Sequence, residues 1–179
     1  MVAEVLARHG VKASFFLASE RTLEGGTSLD DRWAPWWQER AREGHLFGSH
    51  TWDHDVWQAD TPGGFRTRPT QGPAAGRARV LDAPGLCREL ARPSERWQTL
   101  TGRPLAPIWR APGGRTSPAL LAAAEACGWR HVPWTAAGFL GDELSSERYP
   151  NAMLLRQALE RIRGCLLYTS DAADEEDSV

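Results

Sequence analysis

Two histidines four residues apart, His50 and His54, are the residues of this sequence best suited to chemistry. On a helix or helical turn that spacing stacks two side chains on one face. Two imidazoles side by side make half of a tetrahedral zinc site, or one face of a larger one. Alone, the pair describes equally well two exposed polar residues at a helix start. The surrounding stretch Glu43-Gly44-His45-Leu46-Phe47-Gly48-Ser49-His50-Thr51-Trp52-Asp53-His54 favours the metal reading and carries three of the five histidines. Leu46-Phe47 after Gly44 reads as a short buried strand that Gly48-Ser49 breaks. The pair is thereby expected at the C-terminal mouth of a strand, where parallel α/β folds keep their chemistry. His45 should point with the strand as a structural residue, while His9 and His131 read as a helix-end and a strand residue.

The elements that position this stretch follow from periodicity and punctuation. Val2 to His9 reads as a helix closed by Gly10, and Val11 to Leu17 as a buried strand. A chain that opens inside a helix leading into a strand implies an earlier strand before it. After a polar loop over 19–31, Trp33 to Glu43 reads as a helix with Trp33, Trp36 and Trp37 at core spacing. Residues 59–85 are rich in Gly and Pro and have no period, which predicts a mobile insertion loop or lid. Its arginines (Arg66, Arg68, Arg77, Arg79) read as solvated. Leu86 to Leu100 is helical in character, interrupted or restarted at Pro93. Pro107 to Arg110 is a short strand entering the turn Ala111-Pro112-Gly113-Gly114. Ser117-Pro118 opens an alanine-rich helix that ends at Gly128. Trp129 to Trp134 is another strand, and Asn151 caps a helix to Arg163. Alternating helix and strand argues for a parallel α/β architecture.

At 179 residues with 41% hydrophobic and 25% charged content, the chain suits one globular domain with a sizeable core. The stretch 165–179 resembles the one-frame translation of a sequencing-library transposase adaptor, so 1–164 is taken as the native domain and the tail as non-native and disordered. The tail holds five acids and no Lys or Arg. Without it 21 basic residues face 18 acidic ones rather than 23, so the charge is +3 instead of −2. Neither value suits a nucleic-acid binder. No apolar run approaches the roughly 18 residues of a membrane span, and there is no N-terminal signal pattern. Cys87, Cys127 and Cys165 have no C-x-x-C spacing and suggest no disulfide framework; the first two read as small buried hydrophobes. Nine tryptophans fill a core or, near a polar site, offer flat faces to sugar rings. Trp52 and Trp57 fit either role.

The pattern Gly-His-x-x-Gly-x-His-Thr-x-x-His resembles the metal-binding motif of the polysaccharide deacetylases, carbohydrate esterase family four. Gly10 to Leu17 looks like the family's second strand. Trp109-Arg110-Ala111-Pro112-Gly113-Gly114 looks like its Arg-x-Pro-x-Gly motif, which forms one wall of the groove. The resemblance implies an incomplete, distorted (β/α) barrel whose first strand is absent. It implies His50 and His54 as metal ligands, Thr51 as a brace for their loop, and Arg110 as the catalytic-site residue that orients an aspartate. Pro112, Gly113, Trp52 and Trp134 would line the substrate groove, Trp134 as a wall for the acetyl methyl group. Three expected pieces are not matched: an aspartate pair supplying the general base and third metal ligand, a Leu-x-His supplying the general acid, and aspartates where Ala137 and Leu140 stand. Asp142 is either a substitute or an exposed loop acid.

The function implied is removal of acetyl groups from N-acetylated sugars or polysaccharides by a divalent metal, with zinc the first choice. Amide hydrolysis needs a polarising metal, a base and an acid, and this chain supplies only the histidines, so it is expected to be inactive by itself. A silent carbohydrate-binding protein using the same groove, or an amidohydrolase acting on a non-sugar amide, are the alternatives. An acetylated carbohydrate partner would suit an extracytoplasmic or cell-envelope setting.

Overall fold

The computed structural model describes residues 2–134 and 147–160, and the chain divides into two compact units, Met1–Pro133 and Trp134–Val179. In the second unit residues 151–160 are helical. The first unit opens with α1 (Val2–Arg8), β1 (Ser14–Leu17), α2 (Ala34–Arg42) and β2 (Leu46–Ser49). Then come β3 (Asp55–Thr61), β4 (Gly64–Pro69), β5 (Arg79–Leu81) and the long α3 (Ala83–Thr101). It closes with β6 (Ile108–Trp109), α4 (Pro118–Ala126) and β7 (Arg130–His131).

Strands β1, β2, β6 and β7 form a parallel sheet in the order β1-β2-β6-β7. The α/β class expected from the alternation is observed. The described parallel strands make an open sheet, consistent with an incomplete barrel. Phe15 pairs with Phe47 and Phe16 with Gly48, so β2 runs on through Gly48 and Ser49 instead of breaking there. The reason is steric. A Cβ on Gly48 would lie 2.7 Å from the Ile108 carbonyl oxygen and 2.9 Å from the Phe16 ring, so only glycine lets the strands on both sides close in.

Helix α3 sits between two apolar clusters. Trp97 and Leu100 join Trp37, Phe47, Leu17, Leu29 and Leu105 in one. Leu86 and Leu90 join Phe65, Trp109, Ala111, Leu120 and Ala124 in the other. The helix is continuous through Pro93, which corrects the expected interruption. Asp82 caps its start by accepting the Gly85 N–H, and Gly102 closes it with φ 78°. Ser117 likewise caps α4 by accepting the Leu120 N–H at 3.1 Å.

Two further expectations are corrected. The stretch 59–85 is not a structureless loop. With residues 55–58 it builds a three-stranded antiparallel sheet, β3-β4-β5. Its buried positions alternate in β4 (Phe65, Thr67, Pro69), but two of the three are a threonine and a proline, so a hydrophobicity pattern does not register them. The sheet is tied to the α/β part by Phe65 in the second cluster and by the Ser117 hydroxyl, which donates to Asp60 at 2.7 Å. Cys87 and Cys127 are not separate buried thiols. They form a disulfide that joins α3 to the end of α4 across 40 residues. A loop of that length corresponds to about 4 kcal/mol of chain-entropy stabilisation.

Candidate metal centre

His50 is the first residue beyond β2, at the carboxyl edge of the parallel sheet. Its backbone N–H donates to the Leu17 carbonyl at 2.9 Å, and the Arg110 N–H donates to the Ser49 carbonyl at 3.0 Å. Those two bonds carry the sheet register one residue past the strands. They bring the Arg110 carbonyl to 2.8 Å from His50 Nδ1. A carbonyl only accepts, so Nδ1 carries the proton and Nε2 carries the lone pair, the tautomer a metal ligand needs. Burial pushes the His50 imidazole down to about 4, so the ring is neutral at ordinary pH.

His54 meets His50 through a loop, not a helical turn. The ring centroids are 4.8 Å apart at an interplanar angle of 73°. Thr51 (φ 61°) and His54 (φ 52°) both adopt the left-handed region, which is costly for residues with a Cβ. The rings therefore meet without the helical turn on which a four-residue spacing would stack them. The strained loop is held at nearly every main-chain donor. Trp52 N–H donates to the Glu89 carbonyl at 3.0 Å. Asp53 N–H donates to Glu89 Oε2 at 3.3 Å, and Asp55 N–H to Thr51 Oγ1 at 2.8 Å. On the far side Gln71 N–H donates to the Asp53 carbonyl, Thr70 N–H donates to the His54 carbonyl, and Thr70 Oγ1 lies 2.7 Å from His54 Nδ1.

Beneath the loop lies a buried charge cluster. Asp53, Asp55 and Glu89 converge on one guanidinium, that of Arg79 on β5. Asp55 also accepts the Thr67 hydroxyl at 2.7 Å. Burial pulls the Arg79 guanidinium down, yet its bond to Asp55 and the charges of Asp55, Glu89 and Asp53 leave it above its ordinary value. Burial first, and then the Asp55 charge, push the Glu89 carboxyl up. The reading of the insertion's arginines as solvated is therefore corrected for Arg79, whose side chain is 26% exposed and bonded to three acids. A Cβ on Gly72 would lie 2.3 Å from Asp53 Oδ1, so glycine makes room for that carboxylate.

The Arg110 guanidinium lies 4.4 Å over the Phe16 ring, and its Nε donates to the Val132 carbonyl at 3.1 Å. Burial lowers it below its ordinary value. Pro112 is fully buried at the start of the turn that follows β6. Gly113 is exposed, with φ 65°. Trp52 is half-buried against the first cluster with Arg92 stacked 4.4 Å over its ring. Trp57 donates to Asp60 at 3.1 Å and packs on the second cluster. His45 braces the sheet by accepting the Ala13 N–H at Nδ1. Trp134 opens the second unit, 44% exposed, and Ala137, Leu140 and Asp142 lie outside the described residues. The residues sequence reasoning passed over are Glu89 and Thr70, and Arg79 is the one it read as solvated. The one available signal was Pro93, since a proline inside a helix frees a carbonyl one turn back.

The donor set fits a divalent ion such as zinc in type, and His50 fits it in tautomer as well. Among the described residues, no group of three His, Cys, Asp or Glu side chains is arranged to hold a metal.

Residues 1–132 match the family model described as Polysaccharide deacetylase. None of the curated proteins compared with the chain matches it. Among solved structures, a CE4 family pseudoenzyme from Bacillus anthracis superposes with a TM-score of 0.56 at 16% identity, covering 89% of this chain and 44% of that one. A mutant of that pseudoenzyme with restored enzymatic activity gives 0.56 at 17% identity, covering 89% and 46%. The Xyl-CE4 domain of a multidomain xylanase from the hindgut metagenome of Trinervitermes trinervoides gives 0.53 at 16%, covering 91% and 75%. The chain thus spans less than half the length of the pseudoenzyme it matches.

Proposed function

The chain belongs to the polysaccharide deacetylase family, and from that premise we propose that His50 and His54 are two ligands of a divalent metal, zinc in the first instance, in a site for removing acetyl groups from N-acetylated sugars. The observation that carries this reading is the ring pair itself: centroids 4.8 Å apart, each Nδ1 engaged by an oxygen. A metal held there would polarise an amide carbonyl and acidify a bound water. The protein's own part is orientation. Arg110 fixes His50 through its carbonyl, and its guanidinium, pinned on Phe16 and Val132, supplies positive charge at the same edge for an acidic group. Thr51 braces the loop through Asp55.

This chain by itself is proposed to be inactive, because two imidazoles leave metal coordination and proton transfer incomplete. The missing third ligand among the described residues also favours a second reading, a silent carbohydrate-binding protein on the same scaffold. An amidohydrolase acting on a non-sugar amide is the third. The Cys87–Cys127 bridge supports an oxidising, extracytoplasmic setting. Among the described residues no helix is long and apolar enough to cross a membrane.

Zinc titration by calorimetry, with acetate release from N-acetylated chito-oligosaccharides measured alongside, tests the proposal. One ion per chain, abolished in His54→Ala, with no acetate released, supports it. Failure of the wild-type chain to bind zinc overturns the metal reading, and oligosaccharide binding without metal favours the silent one.

A further inference from the structure

The histidine loop is held from below by one turn of α3, and that turn contains a proline. Within a helix the N–H of residue 93 would donate to the carbonyl of residue 89, but Pro93 has no N–H. The Glu89 carbonyl instead accepts the Trp52 N–H at 3.0 Å, and the Glu89 carboxylate accepts the Asp53 N–H at 3.3 Å. Both bonds land between the two histidines. Arg92, on the same turn, lies over the Trp52 ring at 4.4 Å and comes within 3.6 Å of Glu89. Arg79 reaches the same carboxylate from the antiparallel sheet at 3.3 Å. The turn Glu89–Pro93 therefore acts as a socket for residues 51–53, whose left-handed Thr51 would otherwise relax.

We propose that Glu89 and Pro93 are positioning residues for the metal site: the carbonyl left open by Pro93 and the carboxylate of Glu89 lock the loop in the conformation that holds His50 and His54 together. This rests on the metal reading of the histidine pair. Neither residue touches the metal. They act through Trp52 and Asp53, in the way outer partners of metal ligands set affinity.

Pro93→Ala separates this role from ordinary packing. Alanine restores an N–H that competes with Trp52 for the Glu89 carbonyl, and it is a far better helix former than proline. The metal-free variant is expected to melt at or above the wild-type temperature, while zinc affinity falls about tenfold. Deuterium exchange at residues 51–53 should quicken. Glu89→Gln keeps the shape and one acceptor, and is expected to weaken zinc binding by a similar factor. Arg79 is a poorer probe because its removal strands three buried acids. Unchanged zinc affinity and unchanged exchange in Pro93→Ala and Glu89→Gln would overturn the proposal. If the wild-type chain binds no zinc, the metal reading fails. The exchange measurement then still decides whether the socket holds the loop.

Discussion

The two sheets of the first unit orient one histidine each, and they do so by different physics. The parallel sheet is apolar, with Phe15 against Phe47 and Trp109 fully buried, and it directs His50 through a main-chain carbonyl one residue past β6. The antiparallel sheet buries Thr67, Asp55 and Pro69 and directs His54 through the Thr70 hydroxyl just past β4. One half of the candidate centre is therefore set by hydrophobic packing and strand register. The other is set by a charge cluster and a side-chain hydroxyl. A candidate metal pair divided in this way can be weakened from either side separately.

Arg79→Met should break the antiparallel side most severely. Asp53, Asp55 and Glu89 would lose their shared counter-charge, and leaving buried charges unpaired costs about 3–5 kcal/mol. Urea unfolding of the metal-free chain would register it, and an unchanged midpoint would remove the cluster from the account of the fold. Gly48→Ala attacks the parallel side. Its Cβ would meet Ile108 and Phe16 at under 3 Å, and overpacking of this kind costs about 1–3 kcal/mol. Thermal melts should show the loss, with His50 displaced and zinc affinity lowered in step.

Thr70→Val is gentler and more selective. It deletes the oxygen beside His54 Nδ1, so zinc affinity should drop about tenfold while the melting temperature barely changes. Equal affinity would mean that His54 is oriented by its backbone alone. A further effect is one of pH. The His50 imidazole is held near 4 in the fold, while an unfolded chain would take up the proton near 6.5. Protons therefore favour the unfolded chain between these values, and stability should be lost as pH falls from about 6.5 to 4 and be flat in this respect above. Denaturant midpoints of the metal-free chain and of His50→Gln, compared at pH 7 and pH 5, isolate the contribution. A wild-type curve parallel to the variant's would contradict it.

The contrast between the sheets also explains what could be read in advance. Short strands such as Phe15-Phe16-Leu17 and Leu46-Phe47 announce themselves because their apolar side chains are what the core requires. Gly-x-His-Thr-x-x-His and Arg110-Ala-Pro-Gly announce the site because metal ligation and turn geometry restrict residue type. In β4 the alternation is present, but the inward residues include a threonine and a proline, so the hydrophobic signal vanishes. Arg79 looked solvated for the same reason: a lone arginine in a Gly/Pro-rich stretch carries no local sign that three acids surround it. The Cys87–Cys127 bridge depended on how α3 and α4 pack, which no spacing along the chain discloses.

Local chemistry was thus enough to establish the α/β class, the family, and the presence of His50, His54 and Arg110 at the edge of a parallel sheet. Only the tertiary structure decided that the histidines meet through a left-handed loop, and which groups hold that loop in place. The reason is physical. A periodic pattern reports a residue's relation to neighbours one turn or one strand step away. The partners of Trp52 and Asp53 lie on a helix more than 35 residues downstream: for Trp52 a carbonyl that every residue type possesses, for Asp53 the carboxylate of Glu89.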